Sequence, residues 1–456
     1  MFENIIGQPI IQRLISDIEN ESLAPSILFE GGMYSGKCTA ALELARILSC
    51  ENKNAAWNCS CVSCNHNRLL SSPDIMILGP ANFSAQILAA ADSFRRDKSK
   101  ITTKIFFFRE VKKLMLRFMP DLIKDDPKIS KLNPLLDVLN KDLEELFYLA
   151  KKDDEKDGKI IAPDTLDKDA AKMEKLSAKL VDNLIKLESE GISDSIPVLQ
   201  IRNASYWLHL RPSGKKKVLI IENADRMKDE ARNSLLKILE EPPSTAQIIM
   251  TTENAASILP TLLSRLRQYS FVKRSKESDA EIIRRVFKGD MNTLTVSNLH
   301  AYLDNFLPVS EAKLLPAAAF FWMVISNKIT QSENSPNTLT AISALNKYCI
   351  DLIKIDPDYC SIPNETIGGY NQQKTCALIL KSAACFEQRN SFNIFLQLLF
   401  NILSSSLKKG NCISNGIALR ERLQKSVEQA RVAKGIYNQT VSLVLERLFL
   451  QLASGA

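Results

Sequence analysis

The run GGMYSGKCT at residues 31–39 is the first stretch of the chain whose residue types and spacing could bind a phosphate group. It follows a short apolar run, SILFE at 26–30, and precedes a segment with helical spacing at 37–49. This strand–loop–helix order is the context that the GxxxxGK[ST] motif requires. Glycines let successive backbone N–H groups converge on a phosphate, the helix start adds its positive end, and Lys37 adds a mobile cation. We therefore predict a nucleotide-phosphate site; the alternative is a glycine-rich turn beside an incidental lysine.

One position of this motif departs from the pattern. The Ser or Thr that ligates Mg²⁺ in such loops is replaced by Cys38, whose soft sulfur is a poor ligand for a hard cation. Thr39 lies one position further on and is expected to point elsewhere on the helix. We predict that the loop binds nucleotide and does not support efficient metal-assisted hydrolysis.

A second apolar run, KVLII at 217–221, ends in Glu222 and Asn223. Hydrolytic P-loop proteins place an Asp here for Mg²⁺ and often a Glu beside it for the attacking water. Asn223 is neutral, so it can hydrogen-bond a water but cannot act as its base. Asp225 is expected to cap the helix that begins near Lys228. The alternative, a buried strand with a polar end, leaves the pairing with the glycine loop unexplained.

Four cysteines, Cys50, Cys59, Cys61 and Cys64, lie close together directly after the helical segment at 37–49. In a reducing compartment, clustered cysteines indicate metal ligands before disulfides, and four thiolates suit tetrahedral Zn²⁺ in a structural site. The single residue between Cys59 and Cys61 is a tighter spacing than usual, and His66 could replace one ligand. Unligated thiols are the alternative. The scattered cysteines are expected in helical cores, namely Cys349, Cys360, Cys376, Cys385 and Cys412.

Composition excludes several classes of protein. The 456 residues include 59 Lys plus Arg, 52 Asp plus Glu and 15 glycines, with a formal net charge of +7. Glycine at ~3%, against a usual ~7%, disfavours an all-β protein built on tight turns. The start of the chain lacks a signal-peptide pattern and no run of 18 apolar residues occurs, so we expect a cytoplasmic protein without a membrane span. The mild positive charge permits contact with nucleic acid without requiring it.

The hydrophobic pattern divides the chain into four parts. Strands and helices alternate in residues 1–80 and again from about 196 to 271, and only helices are predicted after that. Between the two α/β parts lies a Lys/Asp/Glu-rich helical insertion at about 81–195, whose charge run at 151–158 predicts a solvated turn or disorder. The basic and aromatic stretch KIFFFREVKK at 104–113 predicts either the core of a small helical subdomain or a surface for nucleic acid or a partner.

Several motifs together resemble the bacterial DNA polymerase III clamp loader. The resemblance covers about residues 1–80 and 196–272. It is carried by FENIIGQ at 2–8, the P-loop, the four cysteines, PD at 73–74, IPVLQIR at 196–202, KVLIIENADRM at 217–227, NSLLKILEEPP at 233–243, TT at 251–252 and LLSR at 262–265. The cysteine module is one residue shorter than the family's spacing, and we recognise no counterpart for the insertion.

The resemblance implies an α/β AAA+ (RecA-like P-loop) domain at 1–271, with a zinc module at 50–64 and the helical insertion at about 81–195. It further implies a small all-α lid domain at 272–312 and an all-α collar at 313–456 that assembles a ring of subunits.

Within that family, the altered metal and acid positions are similar to the delta-prime subunit. Arg265 stands where the family's Ser-Arg-Cys motif, here Ser264-Arg265-Leu266, presents an arginine finger to ATP in the neighbouring subunit. The alternative is a surface arginine after a helix. The candidate nucleotide-binding residues of the degenerate site are Gly31, Gly32, Gly36, Lys37, Cys38, Thr39, Glu222, Asn223 and Thr252.

The implied function is help in ATP-driven loading of the sliding clamp onto primed DNA, as a component of the DNA polymerase III holoenzyme without efficient ATPase activity of its own. The implied partners are the gamma/tau and delta subunits, the clamp and DNA, and no membrane. The cofactors are structural zinc and ATP, bound here or contacted in a neighbour, whereas Mg²⁺ is not expected. The alternatives are an ATP-hydrolysing gamma/tau-type subunit and, from another class, a stand-alone P-loop or zinc-bearing nucleic-acid regulator.

Overall fold

The computed structural model of the protein describes residues 1–80, 83–97, 101–127, 129–154, 163–193, 195–289, 298–307, 311–332, 336–353, 372–382, 391–410, 416–435 and 439–453. The chain forms two compact units, residues 1–306 and 307–456. The proposed boundaries at 271 and 312 stay predictions. Within the described residues, no helix combines the length and the apolar character needed to cross a membrane.

A five-stranded parallel sheet forms the centre of the first unit, in the order β2-β3-β4-β1-β5. Its strands are β1 (Ser26–Glu30), β2 (Ile75–Leu78), β3 (Lys217–Ile221), β4 (Ala246–Thr252) and β5 (Arg267–Ser270). The apolar strands β1, β2, β3 and β4 are buried on both faces, as parallel strands covered by helices require. No hydrophobic pattern in the sequence predicts β5, because its residues RQYS are polar and it lies at the sheet edge.

Helices cover both faces of this sheet. They are α1 (Ile10–Glu19), α2 (Lys37–Ser49), α3 (Val62–Arg68), α4 (Ser84–Arg96), α5 (Ile101–Met115), α6 (Pro120–Ile123), α7 (Asn133–Asp154), α8 (Pro163–Gly191), α9 (Val198–His209), α10 (Asp229–Glu240), α11 (Pro260–Leu263), α12 (Lys276–Arg285) and α13 (Leu299–Asp304). Alternate strand residues point to opposite faces. Thus Ile27 and Phe29 join a core with α1 and α2, whereas Leu28 joins a core with α9 and α10.

The insertion, α4 to α8, has a hydrophobic core of its own. Phe107 and Phe108 are buried in it, and Phe94 stacks on Phe107 with ring centroids 5.4 Å apart. The structure therefore favours the core interpretation of the 104–113 stretch. The Arg96 guanidinium of α4 donates to the carbonyls of Phe287 and Lys288, which ties the insertion to the residues after α12. Of the predicted charged turn at 151–158, residues 155–158 lie outside the described residues.

The second unit is helical throughout its described residues. Its helices are α14 (Glu311–Ser332), α15 (Pro336–Ile353), α16 (Gln372–Ser382), α17 (Ser391–Lys409), α18 (Ile417–Gly435) and α19 (Val441–Ala453). They share one apolar core, in which the Trp322 indole donates to the Leu399 carbonyl at 3.0 Å. Cys349 and Cys376 are buried there as predicted, while Cys360, Cys385 and Cys412 lie outside the described residues.

Candidate functional site

The glycine loop joins the carboxyl end of β1 to the first residue of α2, where parallel α/β sheets bind ligands. Gly31 and Gly36 have φ angles of 155° and 98°, and Tyr34 is left-handed at 56°. A Cβ on Gly31 would lie 2.5 Å from the Phe271 carbonyl oxygen, and one on Gly36 would lie 2.4 Å from a guanidinium nitrogen of Arg274. Both glycines are therefore required by conformation and by close approach.

Lys37 lies folded over the loop that it follows. Its side chain is buried, and Nζ donates to the carbonyl oxygens of Gly31 and of Gly32, the latter at 2.7 Å. Burial lowers the pKa of Lys37, and the negative charges of Glu253 and Asp225 oppose that shift. The ammonium group is thus held by carbonyl oxygens of the same loop.

Two further side chains, Arg274 and Gln8, bind the backbone of the glycine loop, and neither was predicted from the sequence to do so. Arg274, between β5 and α12, donates to the carbonyls of Tyr34 and of Ile6, the second at 3.1 Å. Gln8 is buried, and its amide group donates to Ser35 O at 3.0 Å and to Val272 O at 2.8 Å while accepting from Val272 N at 2.9 Å. The basic pair at 273–274, directly after the last strand, was the available signal for Arg274.

The carboxyl end of β3 holds the acidic element. Glu222 is buried and forms an ion pair with the Arg117 guanidinium, which belongs to the insertion. Asn223 has φ 50°, a left-handed conformation that Asn tolerates, and its Nδ2 donates to Pro80 O at 2.6 Å. The Asn223 side chain is therefore bonded to the loop after β2.

Thr252, the last residue of β4, lies beside this element. Its hydroxyl forms a 2.9 Å hydrogen bond with Asp225 Oδ1 and is fully buried. The expectation that Asp225 caps the following helix is wrong, because the N-cap of α10 is Lys228 and it has no side-chain cap. Asp225 lies in the short turn after β3, and its carboxylate accepts this hydrogen bond from the end of β4.

Cys38 and Thr39 occupy the first turn of α2, and both are half-buried. Burial raises the pKa of the Cys38 thiol, while the positive charges of Lys113 and Arg117 oppose that shift. A thiol with a raised pKa is neutral at pH 7 and offers no charged ligand at the position where P-loops hold Mg²⁺.

The four clustered cysteines lie at the other end of α2, where Cys50 is the C-terminal cap. Their sulfur atoms all lie within 4.8 Å of one another, with Cys50 Sγ 3.7 Å from Cys59 Sγ and 4.0 Å from Cys61 Sγ. A tetrahedral Zn–S shell with bonds of about 2.3 Å places sulfurs about 3.8 Å apart. The four sulfurs therefore fit a zinc ion, and the short spacing between Cys59 and Cys61 does not separate them.

Local hydrogen bonds favour thiolate at the exposed side of this cluster. The backbone N–H of Cys61 and the Asn52 side chain lower the pKa of Cys59 to about 6. Arg46, buried on α2 with Glu43, donates from its guanidinium to Cys64 Sγ at 3.1 Å and to the carbonyls of Ala55 and Ala56. Arg46 thus fixes the cysteine module to the helix that also begins at the glycine loop.

Arg265 lies in the turn after α11 with its side chain 33% exposed. Its guanidinium donates to Glu240 Oε1 at 2.7 Å and to the Thr261 carbonyl at 2.7 Å. The structure therefore places this arginine at the surface, between β4 and β5, with its guanidinium held by Glu240 and Thr261.

A sequence comparison with protein families decides the assignment of this architecture. The family described as DNA polymerase III, delta subunit, matches residues 6–124 and 150–275, more than half of the chain. The chain belongs to this family of clamp-loader subunits. The matched residues include the glycine loop, the cysteines, β3, Arg265 and a large part of the insertion for which sequence analysis had found no counterpart.

Individual clamp-loader proteins match over shorter stretches. The delta' subunit of Buchnera aphidicola is 26% identical over 172 residues, which are 37% of this chain and 50% of that protein. The delta' subunit of Bacillus subtilis is 43% identical over 56 residues, 12% of this chain and 17% of that protein. The tau subunit of Escherichia coli is 25% identical over 171 residues, 38% of this chain and 24% of that protein. The alignments thus span half or less of these relatives' lengths.

Among solved structures, a DNA polymerase III gamma subunit-related protein from Thermotoga maritima matches 61% of this clamp-loader chain and 89% of that chain. The sequence identity is 18% and the TM-score is 0.25, which is too low to establish a common backbone.

Proposed function

We propose that this chain is the delta-prime-type subunit of a DNA polymerase III clamp loader, which helps ATP-driven loading of a sliding clamp onto primed DNA. In this role it does not turn over ATP efficiently. It presents Arg265 to ATP bound by the adjacent subunit and serves as a relatively rigid element while the ring opens the clamp. Family membership and the similarity to delta' relatives support the assignment.

The observation that carries the proposal is that Asn223 replaces the catalytic base and that its side chain is bonded elsewhere. The position that holds a water-activating Glu in hydrolytic P-loop proteins holds an amide, and that amide is bonded to the Pro80 carbonyl. The neighbouring Glu222 carboxylate is neutralised by Arg117. Together with the neutral Cys38 thiol, these contacts leave the usual base position and the two usual Mg²⁺ positions without a free carboxylate or hydroxyl.

The role of Arg265 does not depend on the altered residues Cys38 and Asn223. A guanidinium aimed at a neighbour's γ-phosphate stabilises charge on the transferring phosphoryl group and needs only its position. Its side chain is partly exposed and is directed by Glu240 and Thr261. A role in trans is consistent with a surface arginine held in this way.

The cysteine cluster fits a structural role for zinc. Cys50, Cys59, Cys61 and Cys64 would hold the ion, and four thiolates close its coordination shell, so the ion would order the module without taking part in a reaction.

An ATP-hydrolysing gamma/tau-type subunit is the second candidate, since tau subunits also match this chain. ATP turnover by the isolated chain separates the two candidates. A stand-alone regulator, the candidate from another class, would work without partners.

Affinity capture of the tagged full-length chain from its native cells, with identification of the bound proteins, tests the proposal. We expect gamma/tau and delta subunits with the full chain and none with a chain that ends at residue 312, because the proposed collar is then missing. Capture of none of these subunits by the full chain would contradict the proposal. A shortened chain that still binds them would contradict the collar assignment alone.

A further inference from the structure

Arg117 is a buried cation that the insertion places against the nucleotide site. It belongs to the short turn Leu116–Phe118 directly after α5, and it is 5% exposed. Its Nε donates to the Gly79 carbonyl at 3.3 Å, one terminal nitrogen donates to the Lys113 carbonyl at 2.6 Å, and the other binds the Glu222 carboxylate. The Phe83 ring covers the guanidinium at 4.1 Å. Every nitrogen of the group is therefore fixed by a contact from the surrounding elements.

The residues around Arg117 stand at the two positions that ligate Mg²⁺ in hydrolytic P-loop proteins. One is Glu222 at the end of β3, which forms the ion pair. The other is Cys38 at the start of α2. The guanidinium is thus bound to the one carboxylate that stands at a metal-ligating position.

The carboxylates facing this place have partners within the chain, two of them cations. Glu222 is paired with Arg117, and Glu110 of α5 is paired with Lys113 at 2.6 Å. Glu188 of α8 accepts hydrogen bonds from Ser84 Oγ and from the Phe83 backbone N–H, which hold it at the start of α4. A divalent cation added beside the guanidinium would bring like charges together in a place shielded from water, which is strongly unfavourable.

We propose that Arg117 is a built-in cation that takes the place of Mg²⁺ on the Glu222 carboxylate, so that the nucleotide loop of this chain excludes divalent metal. The inference rests on the proposed function only in taking residues 31–39 as a nucleotide-binding loop. It requires neither assembly into a clamp loader nor the trans role of Arg265. Replacing Cys38 by the motif's threonine is therefore not enough to restore a metal site, because Arg117 still fills it.

Titration of the purified full chain with Mn²⁺ in the presence of ADP, followed by electron paramagnetic resonance, tests the inference. The variants are Cys38→Thr, Arg117→Met and the double variant Cys38→Thr/Arg117→Met. We expect wild type and Cys38→Thr to bind Mn²⁺ no more tightly than ADP alone does, and the double variant to gain one site at least about tenfold tighter. Adding Glu222→Gln to the double variant should abolish that site.

Matched variants keep the test decisive. Cys38→Thr/Arg96→Met removes another arginine of the insertion, one that contacts Phe287 and Lys288, and should bind Mn²⁺ as Cys38→Thr does. Cys38→Thr/Arg117→Lys keeps the positive charge and should not gain the site. If near-ultraviolet circular dichroism shows that Arg117→Met unfolds the chain, Arg117→Gln replaces it, because its amide still donates to Glu222. A Mn²⁺ site in Cys38→Thr equal to that of the double variant, or none in a folded double variant, would overturn the inference. Either result leaves the capture of clamp-loader subunits unaffected.

Discussion

The two ends of α2 differ in where their positive charge comes from. At its N-terminus, backbone carbonyls and the Glu222 carboxylate are bound by cations of the chain itself, namely Lys37, Arg274 and Arg117. At its C-terminus, four sulfurs converge within 4.8 Å, a ligand shell that a metal cation would complete. One end of the helix thus supplies its positive charge from side chains, and the other presents ligands for an ion from outside. This difference predicts that a metal ion binds and stabilises the cysteine end of α2 and does not bind at the glycine-loop end.

The largest expected effect is on the cysteine end. Cys64→Ser removes a buried ligand, so we expect zinc content to fall from about one ion per chain to nearly none, with a loss of stability on the order of 5 kcal/mol. Elemental analysis and thermal unfolding measure both. Cys38→Ser, at the opposite end of the same helix, is the matched control and should keep its zinc. Equal zinc content in wild type and Cys64→Ser would break the comparison.

The next effect concerns the buried pair at the glycine-loop end. Arg117→Ala leaves the buried Glu222 carboxylate without a partner, and we expect a loss of about 3–5 kcal/mol in the free energy of unfolding. Arg117→Met/Glu222→Gln removes both charges and should recover most of that loss. Urea unfolding measures both chains. A double variant as unstable as Arg117→Ala would show that packing, and not charge pairing, explains the effect.

A smaller effect is expected at Gln8. Gln8→Ala leaves the backbone N–H and C=O of Val272 and the carbonyl of Ser35 without their partner, which costs about 2 kcal/mol. Gln8→Glu keeps the acceptor for Val272 N–H but loses the donor and buries a carboxylate against the carbonyl oxygens of Ser35 and Val272, so it should be no more stable than Gln8→Ala. Denaturant unfolding of the three chains gives the order, and an unchanged Gln8→Ala would remove Gln8 from the account.

The smallest effect on stability is expected at an exposed ion pair, which serves as a control for the buried pair of Arg117 and Glu222. Arg265 and Glu240 form an exposed ion pair, so Glu240→Gln should change stability by no more than about 0.5 kcal/mol. The measurement is again urea unfolding beside Arg117→Ala. A loss comparable with that of Arg117→Ala would mean that Arg265 is part of the structural core and not a surface group available to a partner.

Much of the sheet was predictable from sequence because its strands are continuous apolar runs. The runs at 26–30 and 217–221 form β1 and β3 with the predicted bounds, and the helix at 37–49 also agrees. The helical spacing over residues 417–452 predicts a single helix, whereas the structure has two, α18 and α19. The spacing over residues 5–21 predicts a first helix that begins at Ile5, but it begins at Ile10, after Gly7 with its left-handed φ of 68°.

The candidate site was predictable only in part, for a physical reason. Motif spacing brings together residues that are close in sequence, and it placed the glycine loop, the cysteines and the β3 acid. Three side chains reach the site from separate parts of the chain. Arg117 comes from the insertion, Arg274 from the segment after β5 and Gln8 from the segment before α1, so only tertiary packing brings them there. A lone arginine in a helical insertion carries no local signal of such a role.

Steady-state ATP hydrolysis by the purified full chain, beside Lys37→Ala, tests the central claim most directly. The account predicts negligible turnover in the isolated chain and no dependence on Lys37, because Asn223 is no base and Arg117 neutralises Glu222. In the reconstituted loader it predicts that Arg265→Ala lowers turnover at the neighbouring site by about 10³ or more, whereas Lys37→Ala has little effect. Robust turnover by the isolated chain that Lys37→Ala abolishes would contradict the account.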